Sequence, residues 1–459
     1  MAQHPLLVRP ILPTLLRLAL PNALGMLASA LVAVAETAYA GRLGTTELAG
    51  MALVFPFAML QQMMSAGAMG GAVSSAVARA LGSGDEARAR ALVFHAALIG
   101  IGAGLVFSAV FLTLGPEIYR LLGGSGAALE AARGFGAVLF AGSVAVWLAN
   151  TLVSAMRGTG DMRRPAVLLL GAALLQVVLG ACFAFGPGPL PRLGLPGIAL
   201  GQVLAFAVAA LAAFLHLRGA GARVRLVAQA PRAEMFRDIL RIGALAAFSP
   251  LMSVATVLVL TRLVAGYGTE ALAGYGIGVR LEFVLVPVAF AIGIAAVPVV
   301  GTAIGAGDVA RARRAAWIAG GLSAGAIGVC GLFAAMVPGA IADFFTDDPA
   351  ALAVAARFFA WVGPAYGFFG LGLTLYFASQ GAGRMLAPVL AAILRFAVVA
   401  CGGWYVAVVR GGQDVGELFA VIALALAAYG TASALGIAAV RWHAAPARGN
   451  LPPRAGKTP

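Results

Sequence analysis

The chain has 459 residues, of which 62% are apolar and only 10% are charged. A soluble globular domain carries about 25% charged residues, so this composition excludes a soluble enzyme or binding domain and indicates a polytopic membrane protein. The net charge of +14 comes from short basic clusters between apolar runs, a pattern typical of membrane topology rather than of nucleic-acid binding.

The amino-terminal stretch "MAQHPLLVRPILPTLLRLALP" has no small-residue cleavage site, and its apolar run continues for a full span. We therefore interpret it as a retained first helix rather than a signal peptide. A bilayer crossing needs about 20 apolar residues, and the sequence predicts twelve transmembrane helices. They lie near 15–39, 49–73, 91–114, 134–156, 166–186, 194–217, 240–264, 271–297, 315–338, 354–378, 386–409 and 418–440.

Basic residues are distributed unequally between the two sides of these helices. With both termini on one side, 22 of the 31 lysine and arginine residues fall on that side and seven on the other. The remaining two, Arg280 and Arg395, fall within helices. By the positive-inside rule, both termini are predicted to be cytoplasmic.

The second half of the chain repeats short stretches of the first half, in order and at a nearly constant offset. The pairs are LLRL (15–18) with ILRI (239–242), TTELAG (45–50) with TEALAG (269–274), GSGDEARARA (82–91) with GAGDVARARR (305–314), and GTGDMRRP (158–165) with GAGRMLAP (381–388). The offset is 224 for the first two pairs and 223 for the others, so each half of the chain is one copy of a repeat.

Each copy holds six predicted helices, and an even number returns the chain to its starting side. The two copies therefore share one orientation, which is the parallel-repeat arrangement of transporters, with substrate between the lobes near mid-membrane. We expect an N-lobe (1–217), a cytoplasmic linker (218–238), a C-lobe (239–441) and a disordered cytoplasmic tail (442–459). The fold class is all-α, with two six-helix lobes.

Glu36 lies in the outer half of the first helix, where an ionisable side chain is by default a candidate functional group. Asn22, Ser29 and Glu36 are spaced by seven residues and share one helix face with small residues. We expect this face to turn towards a cavity, and Pro21 to kink the helix. The alternative is that Glu36 extends to the outer interface and pairs with Arg42.

Glu282 lies about ten residues into the eighth helix, on a face with Tyr275. Arg280 is about 200° away around that helix, so it is expected to meet another helix, and Arg395 in the eleventh helix is the better partner for Glu282. Two interpretations stay open: Glu282 binds a cation, or it forms a buried ion pair that fixes two helices.

Two amides, Asn150 in the fourth helix and Gln176 in the fifth, are polar groups in apolar surroundings. Both are candidates to line a cavity with Glu36, and simple hydrogen bonding between helices explains them equally well.

No pattern in the sequence predicts an enzyme or a metal site. The three cysteines are far apart within apolar runs, and no two of the four histidines, His4, His95, His216 and His443, have metal-ligand spacing. The glycine-bearing loops GSGD and GAGD match no P-loop and are interpreted as helix ends. Without a nucleotide-binding motif, an ion gradient is the expected energy source.

Four stretches together resemble the MATE family of multidrug and toxic compound extrusion transporters, and the similarity extends over essentially the whole chain. They are AETAYAGRLGTTELAG, FPFAMLQQMMSAGAMGGAVSSAVARALGSGD, MRGTGDMRRP and VRLEFVLVPVAFAIGIAAVPVVGTAIGAGD. The resemblance implies a V-shaped antiporter that expels organic cations in exchange for protons or sodium ions. It places Glu36 where the family commonly has an aspartate and matches Pro21 to the family's kink proline.

The chain departs from the family pattern in both lobes. One bacterial branch has an asparagine and an aspartate in the fifth helix, where this chain has Gln176 and Gly180. The acid that other branches place in the seventh helix is also missing, which leaves Glu282 as the remaining candidate. The coupling ion and its stoichiometry therefore cannot be transferred from either branch.

Our hypothesis is alternating-access antiport in which Glu36 permits either the coupling cation or the organic cation, never both. Burial in a low-dielectric cavity disfavours the charged form of a carboxylate. We expect a monomeric, multi-pass protein of the bacterial inner membrane that contacts the lipid bilayer, binds no nucleic acid and needs no cofactor apart from the coupling ion. The alternatives are a lipid-linked saccharide flippase of the same broader superfamily and a non-transporting membrane scaffold.

Overall fold

A computed structural model describes residues 4–412, 414–440 and 442. Within these ranges the chain is helical and contains no β-strand. His443 and the predicted disordered tail, apart from Trp442, lie outside the described residues.

Eleven helices are long and apolar enough to cross a membrane, and one bent pair supplies a twelfth crossing. In chain order they are α1 (Ile11–Leu43), α2 (Thr45–Gly82), α3 (Glu86–Thr113), α4 (Gly126–Ala141 and Ser143–Gly158, bent by 45°), α5 (Arg163–Phe185), α6 (Leu195–Arg218), α7 (Ala233–Ala265), α8 (Thr269–Gly305), α9 (Val309–Met336), α10 (Pro349–Ala382), α11 (Leu386–Val409) and α12 (Val415–Ala439). All twelve predicted helices are present. Several are longer than predicted because the backbone stays helical into the polar residues that flank each apolar run.

Three of these helices contain short segments of other geometry. The middle of α2 is a π-helical segment at Met63–Met69, α10 has a 3-10 turn at Gly363–Ala365, and α11 ends in a π-helical segment at Tyr405–Val409. In contrast, α1 is helical on both sides of Pro21, so the predicted kink remains a prediction.

The repeat that was found in the sequence is also present in the packing of each lobe. A Cβ atom at Gly158 of α4 would lie 2.7 Å from the carbonyl oxygen of Ser74 in α2. In the C-lobe, a Cβ atom at Gly381 of α10 would lie 2.7 Å from the carbonyl oxygen of Val297 in α8. Both residues of the second pair follow their counterparts by 223 positions, so the two lobes use the same close helix contact.

The two lobes touch where α2 and α8 end, beside the linker that joins α6 to α7. A Cβ atom at Gly82 would lie 2.1 Å from the carbonyl oxygen of Thr302, and one at Gly305 would lie 2.1 Å from the carbonyl oxygen of Arg79. These pairs are again 223 positions apart, so a local two-fold axis passes through the contact. Only glycine allows the backbones to approach this closely. We call this the linker side of the molecule.

Apolar packing shows that the lobes diverge away from the linker side. The largest core cluster draws residues from both lobes, such as Val77 and Val300. Towards the opposite side there are two further large clusters, one around Phe140 with N-lobe residues and one around Phe358 with C-lobe residues. The lobes therefore share a core on the linker side and form separate cores beyond it, which is a V-shaped arrangement.

The linker is held against the N-lobe along residues 219–232. His95 of α3 is fully buried, and its Nε2 accepts a hydrogen bond of 2.8 Å from the backbone N–H of Arg232. Arg223 donates to the carbonyl oxygen of Thr159 at 3.1 Å. Because α7 begins at Ala233, the irregular linker is shorter than the predicted segment of 218–238.

We predict that Gly305→Leu destabilises the protein, because its side chain would overlap the backbone of α2. Overpacking of this kind costs about 1–3 kcal/mol, measured as a lower thermal unfolding midpoint in detergent. Gly321→Leu in α9 is the control, since nothing lies within 4 Å of a Cβ atom at Gly321. Equal midpoints for the two variants would contradict the close α2–α8 contact.

Candidate functional site

Glu36 of α1 is buried against α5. Its side chain and that of Gln176 are each 7% exposed, and Gln176 Nε2 donates a hydrogen bond of 2.7 Å to Glu36 Oε1. The pair lies seven residues before the end of α1 at Leu43, about 10 Å along the helix, on the side away from the linker. The two residues that the sequence placed in one cavity are therefore in direct contact.

Glu36 Oε2 has a different environment from Oε1. It accepts no hydrogen bond from any described residue. It is also not one of the fully buried side-chain atoms that lack a hydrogen-bond partner, so it keeps a small exposed area. One carboxylate oxygen is thus fixed by an amide, while the other has no hydrogen-bond donor among the described residues.

The alternative in which Glu36 pairs with Arg42 is wrong. Arg42 is exposed and forms no ion pair with Glu36 in the described structure. Six residues along an α-helix correspond to a rotation of about 240°, so the two side chains point in different directions.

The predicted polar face of α1 is packed at its two ends. Asn22 is 2% exposed, and its Nδ2 donates to the carbonyl oxygen of Leu18 at 3.1 Å and approaches Met162 Sδ at 3.3 Å. Its Oδ1 is sealed without a partner. Ser29, between Asn22 and Glu36, is exposed and donates only to the carbonyl oxygen of Gly25 within its own helix. The structure therefore does not bring Ser29 together with the other two.

Asn150 belongs to a second polar contact, between α4 and the π-helical segment of α2. Its Nδ2 donates to Ser65 Oγ at 2.8 Å and to Gln62 Oε1 at 3.3 Å. The hydrogen bonds between helices that the sequence left open thus account for Asn150, which is buried at 1% exposure.

In the C-lobe, Glu282 of α8 is half-buried beside two tyrosines. Tyr366 of α10 donates its hydroxyl to Glu282 Oε1 at 3.3 Å. Tyr275 lies two turns before Glu282 on the same face of α8. It is buried and packs edge-on against Phe358, with ring centroids 5.8 Å apart. The second intramembrane acid therefore also has one neutral hydrogen-bond donor.

Arg395 of α11 is buried but does not form the predicted ion pair with Glu282. Its Nη2 donates to Ser253 Oγ at 2.9 Å, and its guanidinium lies 5.2 Å from the ring centroid of Tyr429 and 5.9 Å from that of Phe369. Cation–π contacts and one hydroxyl take the place of the carboxylate, and the Nε atom is left without a partner.

Arg280 contacts a loop rather than another transmembrane helix, contrary to the prediction. It is exposed, and its guanidinium lies 5.1 Å from the ring centroid of Phe345 in the loop between α9 and α10. The sequence located Arg280 correctly on a different face from Glu282, but that face turns out of the C-lobe.

Comparison with known proteins identifies the family. The MatE family model matches residues 21–182 and 246–406. A probable multidrug resistance protein NorM of Deinococcus radiodurans is 32% identical over 414 residues, which cover 85% of this chain and 87% of the relative. This chain belongs to the MATE family.

Two further curated relatives and two solved structures agree with this assignment. A FAD transporter of Shewanella oneidensis is 28% identical and covers 68% of this chain and 70% of its own length. A probable NorM protein of Thermotoga maritima is 25% identical, with 82% and 81% covered. A MOP superfamily transporter from Pyrococcus furiosus superposes with a TM-score of 0.86 at 21% identity, covering 95% of this chain and 97% of that one. An outward-facing multidrug resistance MATE transporter gives a TM-score of 0.85 at 22% identity, with the same coverage.

MATE proteins are membrane transporters rather than enzymes, and the chain is accordingly a multi-pass membrane transport protein. Among the described residues, no three His, Cys, Asp or Glu side chains are grouped to hold a metal ion. The three cysteines, Cys182, Cys330 and Cys401, are free thiols.

Gly180, which the resemblance aligns with an aspartate of one MATE branch, lies beside α6, although a Cβ atom at Gly180 itself would meet nothing closer than Ile198 Cα at 3.9 Å. A Cβ atom at Gly201 of α6 would lie 2.4 Å from the backbone nitrogen of Gly180 in α5. The backbones of α5 and α6 are therefore in close contact one turn beyond Gln176, and Glu36 is the acid that remains in this part of the N-lobe.

Sequence reasoning missed the polar contacts between the lobes on the linker side. Arg79 and Arg88 of the N-lobe both bind Asp238 of α7, at 3.0 and 2.8 Å, and Arg88 also binds Glu234 at 2.8 Å. Across the two-fold axis, Arg311 donates to the carbonyl oxygen of Leu6 at 2.9 Å. We call these two contacts the linker-side latch. The internal repeat could have revealed these contacts, because Arg88 and Arg311 occupy equivalent positions in its two copies.

Gln380 is a second residue that was missed. Its Nε2 donates to the carbonyl oxygens of Gly67 and Ala68 in the π-helical segment of α2, at 3.2 and 2.8 Å. Ser75 Oγ in turn donates to the carbonyl oxygen of Gln380 at 2.6 Å. This amide therefore ties α10 of the C-lobe to α2 of the N-lobe.

We predict that Glu282→Gln leaves folding intact. No ion pair is lost, and the amide oxygen of glutamine can still accept the hydroxyl of Tyr366. The thermal midpoint should equal that of the unsubstituted protein, whereas Asn150→Leu, which removes two buried hydrogen bonds, should cost about 1–3 kcal/mol. Loss of folded protein in Glu282→Gln would instead mean that Arg395 and Glu282 stabilise each other.

Proposed function

We propose that this MATE protein is a secondary active antiporter that exports organic cations or drugs in exchange for protons or sodium ions. The observation that carries the proposal is Glu36, a buried carboxylate with one oxygen fixed by Gln176 and the other without a hydrogen-bond donor among the described residues. The NorM relatives are multidrug resistance proteins by name, which favours drug export as the physiological role.

The mechanism follows from the energetics of a buried carboxylate. An isolated negative charge in a low-dielectric site is unfavourable unless a proton or a cation neutralises it. Gln176 offers only neutral N–H donors, so full neutralisation needs a proton, a sodium ion or a cationic substrate. One carboxylate satisfies one of these at a time, and this mutual exclusion is the basis of exchange.

Glu282 would act as a second cation site in the C-lobe. Its partner Tyr366 is again neutral, and Arg395 is occupied by Ser253 and two aromatic rings rather than by a carboxylate. The lobes thus contribute one acid each, with different partners. This difference allows the two acids to prefer different cations, while mutual exclusion operates at Glu36.

Alternating access requires the linker side to open when the opposite side closes. In this structure, the α2–α8 contact and the linker-side latch close the linker side. On the opposite side each lobe has its own apolar core, so the lobes are apart there. With the termini on the cytoplasmic side of a bacterial inner membrane, as the basic residues predict, this state faces outward.

We propose that a single chain performs the whole cycle.

A second candidate substrate class is an anionic compound. Arg395 is a buried cation whose Nε has no partner, and one relative in Shewanella oneidensis is a FAD transporter. Export of FAD, compared with export of a fluorescent organic cation from the same vesicles, decides between the two classes.

We predict that Glu36→Gln reduces efflux of a fluorescent organic cation to the background rate, because glutamine cannot exchange a proton or a cation charge. Transport is measured in energised inverted vesicles, with a proton or a sodium gradient imposed alone. Glu130→Gln is the control, since Glu130 is exposed on the same lobe and pairs with Arg133. Undiminished efflux in Glu36→Gln would sink the assignment.

We predict that Asp238→Asn opens the linker side, since it removes the negative charge that both Arg79 and Arg88 bind, while Arg88 keeps its contact with Glu234. Partly exposed ion pairs contribute up to about 1 kcal/mol each, so loss of the two pairs should raise the open population by up to about 30-fold. The measurement is the spin-label distance between positions 90 and 314 in a cysteine-free background. Asp161→Asn, which breaks an ion pair with Arg164 within the N-lobe, is the control, and identical distance distributions for the two variants would contradict the latch.

A further inference from the structure

A pocket of about 240 Å³ lies on the linker side of the C-lobe. It is bounded by the first turns of α7, the loop between α10 and α11, and the end of α12. Its lining includes Arg241, Arg384, Leu245, Leu386 and Trp442. No helix of the N-lobe lines it, and it lies far from Glu36, so it is separate from the transport site.

The pocket carries unneutralised positive charge. Arg241 and Arg384 are exposed, and in the described part of the chain neither side chain forms an ion pair or a hydrogen bond. The lining contains no acidic residue. Asp238, one turn before Arg241, is occupied by Arg79 and Arg88.

The equivalent pocket of the N-lobe shows how this charge arose. That cavity has about 250 Å³ and is lined by Gly160, Asp161 and Arg164, among others. Shifted by 223 residues, Asp161 corresponds to Arg384 and Arg164 corresponds to Ala387. The N-lobe pocket thus holds an internal ion pair between Asp161 and Arg164 at 3.2 Å. In the C-lobe the acid is replaced by an arginine.

The remaining cation of the N-lobe pocket is also engaged, because Arg223 donates to the carbonyl oxygen of Thr159. The same scaffold therefore forms two pockets, one with its arginines occupied and one with two free guanidinium groups. Free guanidinium groups on either side of a cavity match the oxygens of a phosphate.

We propose that the C-lobe pocket binds the phosphate headgroup of an anionic phospholipid. Basic pockets at the ends of transmembrane helices are the usual sites for such headgroups. The ligand chemistry is a phosphate ester, and the position of the pocket commits it to a lipid. Leu386, 64% exposed, and Leu240, 40% exposed, lie next to the arginines on α11 and α7, where acyl chains follow the helices, and Trp442 is typical of the membrane interface.

The test is a lipid titration of the purified full-length protein in detergent, followed by native mass spectrometry. Phosphatidylglycerol should be retained in preference to phosphatidylcholine of the same chain length. Each arginine near an anionic headgroup contributes about a fivefold factor, so Arg241→Gln/Arg384→Gln should weaken phosphatidylglycerol binding about 25-fold. Arg164→Gln, in the N-lobe pocket, is the matched control and should leave it unchanged.

Two further variants separate charge from folding. Arg384→Asp/Ala387→Arg transplants the N-lobe ion pair into the C-lobe pocket, leaves only Arg241 free, and should reduce the preference about fivefold. Arg241→Lys/Arg384→Lys keeps the charge and should retain it. Equal binding by the unsubstituted protein and the double glutamine variant, or equal loss in Arg164→Gln, overturns the proposal. Displacement of phosphatidylglycerol by millimolar inorganic phosphate also overturns it, since the site would then be one for free phosphate.

Discussion

The backbone contact between α2 and α8 at Gly82 and Gly305 is the constraint on which the rest of the structure depends. Each glycine lies against a carbonyl oxygen of the other lobe, at positions related by the repeat. A side chain at either position would separate the two helices and remove the core that the lobes share on this side. Because the lobes are joined here, they are free to diverge on the opposite side, where Glu36 and Glu282 lie. The latch around Asp238 adds electrostatic attraction to a contact that is otherwise one of packing.

The two copies of the repeat share their helix packing but differ in their polar and ionisable side chains. Positions equivalent to Glu36 and Gln176 in the C-lobe are Leu260 and Val399, and both belong to one apolar cluster. A hydrogen-bonded polar pair in one lobe is therefore an apolar contact in the other. The converse holds for Arg395, whose N-lobe counterpart is the buried Ala172. Each lobe thus keeps the same helix packing and carries its own ionisable groups, which is why neither acid recurs.

Much of the fold was predictable from the sequence, because apolar runs and a constant offset are properties of the chain itself. The contact between Glu36 and Gln176 was also predictable, because these two helices contain few other polar side chains. The environments of Arg280 and Arg395 were not predictable. Whether a helix face turns inward depends on how its neighbours cross it, and the partners that replaced a carboxylate around Arg395 come from α7, α10 and α12. The latch was missed because its two contacts join residues about 150 and 305 positions apart.

The most direct test of this account is a reversible cross-link across the α2–α8 contact. A Cβ atom at Gly301 would lie 3.0 Å from the Cβ atom of Ala78. This is less than the roughly 3.5–4.5 Å that a disulfide spans, so the two helices move slightly apart to accommodate the bond. The measurement is efflux by Ala78→Cys/Gly301→Cys in a background without the three native cysteines. If the linker side must open in each cycle, oxidation stops transport and reduction restores it. Full transport by the cross-linked protein would contradict alternating access about this contact.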